Sequence, residues 1–95
     1  VGAATAVGGD RIFDGTIQMG DYYFLPTRTQ VSVGDTLTWE NDGTVIHTAT
    51  ASDKSFDTGE VSPGQSVAVT FNTAGTFNYN CSPHPWMLGQ VIVTP

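Results

Sequence analysis

Apolar and polar residues alternate one by one along much of the chain, the period at which successive strand side chains point to opposite faces. Leu37 and Trp39 alternate with Thr36 and Thr38, and Val67, Val69 and Phe71 with Ser66, Ala68 and Thr70. Val31 and Val33 alternate with Gln30 and Ser32. Each set predicts a half-buried strand with its apolar members turned inward. Phe77, Tyr79 and Cys81 form another such set, opposed by Thr76, Asn78 and Asn80, so Cys81 is expected to point inward at the end of its strand.

Continued along the chain, the pattern gives β-like runs at 12–19, 21–25, 29–33, 36–40, 45–51, 66–71, 76–80 and 89–93. Turn formers separate them: Gly20-Asp21, Pro26, Gly34-Asp35, Asn41-Asp42-Gly43, Ser62-Pro63-Gly64, Ala74-Gly75 and the stretch from Pro83 to Pro85. About eight short, closely spaced strands predict an all-β sandwich or small barrel. No stretch carries the helical period. The polar segment 52–64 reads as a crossover connection with room for a short helical turn, and residues 1–9 read as a loose lead-in or a short edge strand.

Composition agrees with this class. Thr, Val and Ile supply 28 of the 95 residues, against 21 for Ala, Leu, Glu, Lys, Gln, Met and Arg together, a balance that favours strands. The length suits a single domain over 1–95, since two independent cores could not both be filled. No run approaches the roughly 20 apolar residues of a membrane-spanning helix. A net charge of −6 argues against nucleic acid or anionic lipid as partner and suits a partner with a basic surface. The opening Val1-Gly2 lacks a charged-then-apolar leader pattern, as expected of a processed product. A single cysteine excludes an internal disulfide, Cys-rich zinc modules and sites that need several thiolates.

That cysteine opens the most informative stretch of the chain, Cys81-Ser82-Pro83-His84-Pro85-Trp86-Met87. A thiolate, an imidazole and a thioether follow one another at intervals of three residues, so a tight loop can gather all three around one point. The other histidine, His47, lies on a separate β-like run. If the two runs meet at one end of a sandwich, the donors become one Cys sulfur, two His nitrogens and one Met sulfur. Two His and a Cys with a weak axial Met form the donor set of a mononuclear copper electron-transfer site. Thiolate and thioether suit Cu(I), and imidazole also suits Cu(II). Met19, far from the loop in sequence, reads as core or surface filling. Trp39, Phe71, Phe77 and Tyr79 read as core aromatics, and Trp86, inside the loop, as a shield for the metal or a contact for a partner. The scattered acidic residues read as a solvated surface, with Asp53, Asp57 and Glu60 as a candidate docking patch.

Across residues 11–95 the chain resembles the cupredoxins, or type 1 blue copper proteins. The resemblance rests on Phe24-Leu25-Pro26, the stretch from Val33 to Asp42, His47-Thr48, Ser62-Pro63-Gly64 and above all Tyr79 to Met87. The short interval between His84 and Met87, with Pro85 after the histidine, is similar to the ligand loop of the amicyanins, whereas plastocyanins have a longer one. The resemblance implies a Greek-key β-sandwich and one type 1 copper ion held by His47, Cys81, His84 and Met87. It further implies a monomeric carrier of single electrons between redox partner proteins, not an enzyme, located in the periplasm or elsewhere outside the cytoplasm. His84, on the loop, becomes the edge through which electrons enter and leave. One departure stands out: Ile46-His47-Thr48 replaces the frequent Pro-His-Asn. The amide of Thr48 is still expected to donate to the Cys81 sulfur, but no Asn side chain is there to brace the ligand loop.

Two other functions use the same residues. A copper storage or delivery module would bind the metal through more exposed ligands and release it readily. A zinc-dependent hydrolase would use His47, Cys81 and His84 with an open water position; it lacks a general base near the loop and leaves Met87 without a role.

Overall fold

Leu37, Trp39 and Asn41 are buried along Thr36–Asn41 while the residues between them are not, so the alternation there becomes a strand with one face inward. The same holds for Leu88–Thr94, where Gly89, Val91 and Val93 are buried. The computed structural model describes Thr5–Ala6 and residues 15–95. Among these, nine strands form: β1 (Thr5–Ala6), β2 (Thr16–Gly20), β3 (Tyr23–Leu25), β4 (Arg28–Ser32), β5 (Thr36–Asn41), β6 (Thr50–Ala51), β7 (Ser66–Thr70), β8 (Gly75–Asn80) and β9 (Leu88–Thr94). No helix of the described residues is long and apolar enough to cross a membrane.

The strands make two sheets, ordered β1-β4-β9-β8-β6 and β3-β2-β5-β7. The β2–β5 and β4–β9 pairs are parallel and the others antiparallel. Parallel neighbours cannot be joined by a hairpin. The chain therefore passes from β3 to β4 in the other sheet and returns to lay β5 beside β2, and these crossings close an all-β sandwich.

Ile17, Met19, Phe24, Leu37 and Trp39 from one sheet meet Val31, Tyr79, Val91 and Val93 from the other. The Trp39 ring lies at the centre, 5.5 Å from Phe56, 5.5 Å from Tyr79 and 6.2 Å from Phe71. Such pairs each add about 0.5–1.5 kcal/mol beyond the area they bury. Burial pushes the Tyr79 phenol up from its ordinary value, so the ring stays neutral in the core. Gly89 faces Tyr79 across the β8–β9 ladder, and a Cβ there would lie 2.2 Å from the Tyr79 ring, so only glycine lets the two strands close over it.

Several sequence expectations shift. Val33 is exposed, because β4 ends at Ser32 and a turn follows, fixed by Asp35 Oδ2 accepting from the Ser32 amide at 2.8 Å. Of the run 45–51 only Thr50–Ala51 is strand; His47 makes a lone bridge to Val61, and Val45 and Ile46 are exposed. The segment 52–64 holds turns and bridges through Asp57 and Val61, with no helical turn. The run read from Ile12 is strand from Thr16; its residues 12–14 lie outside the described ones. Within 1–9, Thr5–Ala6 pairs with β4 at the edge of the sheet, and the remaining residues lie outside the described ones. Met19 is fully buried in the core, as expected of filling.

Candidate metal centre

Cys81 follows β8 directly and keeps its phase, so its thiol enters the same interior as Tyr79 and is fully buried. The chain then winds tightly: the His84 amide donates to Cys81 O at 3.1 Å and the Met87 amide to His84 O at 2.9 Å. The Cys81 amide donates in turn to Met87 O at 3.0 Å, which closes the loop on itself. These bonds explain why an interval of three residues matters, since each turn returns the next donor residue to the same side. Pro83 and Pro85 flank His84 with fixed φ and no N–H, which limits the freedom of the loop. His84 is half-buried, and Met87 is buried just before β9 begins.

His47 arrives through sheet register. β6 pairs with β8 as Thr50↔Asn80 and Ala51↔Tyr79. Continued past the strand ends, this antiparallel register sets Thr48 against Ser82 and brings His47 beside the loop. Val61 holds His47 from the opposite side through two backbone bonds of 3.2 and 2.8 Å.

The geometry follows from these two supports. Cys81 Sγ lies 3.6 Å from His47 Nδ1 and 3.4 Å from His84 Nδ1, and the three donor atoms all fall within 4.8 Å of one another. A sulfur about 2.3 Å and a nitrogen about 2.0 Å from one first-row ion, at tetrahedral to trigonal angles, are themselves about 3.5–3.7 Å apart. The three side chains therefore fit a single ion. The softness of the set, with a buried thiolate-forming cysteine and a buried thioether beside two imidazoles, suits copper.

The surroundings support the same chemistry. The Thr48 amide donates to Cys81 Sγ at 3.4 Å, as the sequence led us to expect. The Thr48 hydroxyl accepts from the Ser82 amide at 2.8 Å, so the brace that an Asn would supply is supplied by a threonine. Asp21, in the β2–β3 turn, places Oδ1 2.7 Å from His47 Nε2, while its Oδ2 accepts from both the amide and the hydroxyl of Thr44 at 2.9 and 2.6 Å. The Thr44 hydroxyl, then His47, hold the Asp21 carboxyl at about 2, well below the ordinary carboxylate range. The adjacent Tyr22 ring leans over His84 with centroids 4.6 Å apart, and Trp86 lies 5.5 Å from His84 and is mostly exposed.

Asp21, Tyr22 and Asn41 are the supporting residues that sequence reasoning passed over. In the sequence Gly20-Asp21 is legible only as a turn, and Asn41-Asp42 as a turn that ends the Val33–Asp42 stretch of the family resemblance, with no side-chain role assigned to either. Their contacts with the His47 segment depend on how the strands stack, for which no local pattern exists. In the proposed docking patch, Asp57 accepts from the Thr50 hydroxyl and the Gly59 amide, and Asp53 caps Ser55, so both carboxylates help to shape their own loop.

Residues 13–94 match the model of the copper binding proteins of the plastocyanin/azurin family. The chain is 31% identical over 96 residues to the amicyanin of Paracoccus versutus, covering 96% of this chain and 70% of that protein. Its fold superposes on a purple cupredoxin from Nitrosopumilus maritimus with a TM-score of 0.79 at 27% identity, over 85% of this chain and 100% of the other. It also superposes on a copper-containing nitrite reductase from Thermus scotoductus with a TM-score of 0.80 at 28% identity, over 95% of this chain but 25% of that one. With a soft donor set gathered at one end of a β-sandwich, the chain belongs to the plastocyanin/azurin family of copper-binding proteins, the cupredoxins, and is a copper protein of electron transfer.

Proposed function

We propose that His47 Nδ1, Cys81 Sγ, His84 Nδ1 and Met87 Sδ hold one type 1 copper ion, which supplies a single electron at a time by alternating between Cu(II) and Cu(I). The observation that carries this assignment is the convergence of Cys81 Sγ with two imidazole Nδ1 atoms at 3.6 and 3.4 Å from elements more than thirty residues apart. The protein residues contribute fixed positions. The β6–β8 register, the paired Val61 bridge and the two prolines hold the donors where both oxidation states can be accommodated with little rearrangement. The chain makes and breaks no substrate bond, acts as a monomer of one domain and works in the periplasm or another extracytoplasmic compartment.

His84 is the edge for electron entry and exit, because it is half-buried while His47 is sealed inside. Around it Trp86 is 64% exposed and Tyr22 47%, which gives a partner an apolar face against which to exclude water. The net charge of −6 favours redox partners with a basic surface.

Adding Cu(II) to the metal-free protein tests the assignment. An intense blue absorption with one equivalent, lost on reduction and absent from Cys81→Ser, is the expected result. A colourless complex, or a Cys81→Ser variant that stays blue, would overturn it. A zinc-loaded protein that hydrolyses esters would favour the hydrolase instead.

A further inference from the structure

His47 is fully buried, and its ring has two nitrogens with different tasks: Nδ1 faces Cys81 and His84, and Nε2 meets a carboxylate oxygen of Asp21 at 2.7 Å. The carboxylate is itself held. Its second oxygen accepts two bonds from Thr44, and its side chain is only 22% exposed. Gly43 completes the arrangement, since a Cβ there would lie 2.2 Å from Asp21 Oδ1 and 3.0 Å from His47 Nε2. Three residues from two separate turns thus leave room for one contact and fix it in place.

We propose that Asp21 is a positioning residue for the metal site, holding the proton of His47 on Nε2 and aiming the Nδ1 lone pair at the ion. The inference rests on the copper reading above and adds a consequence. A carboxylate accepting from the far nitrogen makes the imidazole a stronger donor, and outer contacts of this kind are worth about 10–100-fold in metal affinity. A stronger imidazole donor also favours Cu(II) over Cu(I), so Asp21 lowers the reduction potential. The carboxylate comes from the β2–β3 turn, which also carries Tyr22 over His84, so one turn steadies both histidines from outside.

Three variants test the inference: Asp21→Asn, Asp21→Ala and Gly43→Ala, the last of which pushes the carboxylate off Nε2 without removing its charge. Competition for Zn(II) against a chromophoric chelator reads metal affinity without any redox step, and voltammetry of the copper-loaded proteins reads the potential. The expected results are a 10–100-fold weaker Zn(II) complex and a raised potential in all three variants. In the Zn(II)-loaded wild-type protein, NMR is expected to find a downfield, slowly exchanging Nε2 proton on His47, a measurement that needs no variant to fold. Zn(II) affinity and potential both unchanged in Asp21→Ala, or a rapidly exchanging Nε2 proton in the wild type, would overturn the role of Asp21. If instead the wild-type protein forms no blue copper complex, the copper assignment itself fails, a result separable from the others.

Discussion

The hydroxyl of Thr48 accepts a hydrogen bond from the Ser82 amide at 2.8 Å and ties the residue after one candidate ligand to the residue after another. It also meets the Thr50 hydroxyl at 3.0 Å, which in turn contacts Ser82 Oγ at 3.1 Å and donates to Asp57 at 3.0 Å. Thr48→Val preserves the shape and removes the acceptor, leaving the part-buried Ser82 amide unpaired. The expected loss is about 1–2 kcal/mol, seen as a lower midpoint in thermal or denaturant unfolding, with Thr48→Ser close to wild type. The main-chain amide of residue 48 still faces Cys81 Sγ, so the copper absorption should survive. A Thr48→Val protein as stable as wild type would show that the brace contributes nothing.

Much of this site is legible in the chain before any coordinates. Cys81, His84 and Met87 are close in sequence, so their convergence needs only a tight loop, and period-two alternation sets the inward direction of Cys81. The partnership with His47 is harder to read, because it depends on the β6–β8 register, and the run 45–51 turns out to be mostly connector. Asp21 leaves no signal, since its acceptor role arises where two turns from different strands meet. Val33 fails for a local reason, as the Gly34-Asp35 turn bends the chain before the alternation can be continued. Alternation reports faces faithfully inside a strand and says nothing about where the strand stops.

Two glycines separate a buried steric demand from an exposed one. At both Gly89 and Gly20 a Cβ would lie 2.2 Å from a tyrosine ring. Tyr79 is locked in the core by Phe24, Trp39 and Phe56, whereas Tyr23 is 51% exposed and can swing into solvent. Gly89→Ala is therefore expected to cost about 1–3 kcal/mol or more through forced displacement of core rings, and Gly20→Ala much less. Chemical denaturation of the two variants side by side checks the ranking, and equal losses would contradict it.

The acid–base behaviour of Glu40 gives a prediction with a definite sign. The neighbouring Asp42 side chain, through hydrogen bonding and then like-charge repulsion, raises the Glu40 carboxyl above its ordinary value. A carboxyl whose folded pKa is raised favours folding while it is protonated, below its unfolded pKa, and that contribution is lost as pH rises through the folded value. Asp42→Asn should bring Glu40 back toward the ordinary glutamate range, which carbon-detected NMR titration of its carboxyl reads directly. The variant should gain stability relative to wild type at neutral pH and lose that advantage in acid, where the carboxyls are protonated. A Glu40 titration unmoved by Asp42→Asn would assign the shift to another cause.

Asn41 connects the fold to the metal site more directly than any other fully buried polar residue apart from His47. Its Nδ2 donates to Val45 O at 2.9 Å and to Val61 O at 2.8 Å, and its Oδ1 accepts from the Gly43 amide at 2.8 Å. Val61 is the backbone partner of His47, and Gly43 leaves the space in which Asp21 reaches the same ring. Asn41→Leu fits the volume but strips all three bonds, leaving the part-buried Val45 carbonyl and Gly43 amide without these partners and Val61 O with the His47 amide alone, at a cost of about 1–3 kcal/mol. Because both lost anchors flank His47, Zn(II) affinity should fall along with stability. Asn41→Asp keeps the acceptor for Gly43 but turns a carboxylate oxygen toward two carbonyls, so at neutral pH it should be less stable than Asn41→Leu. Urea unfolding and Zn(II) competition on both variants check this ordering. Asn41→Leu with wild-type stability and affinity would mean that the segment from Asn41 to His47 is held by its backbone alone.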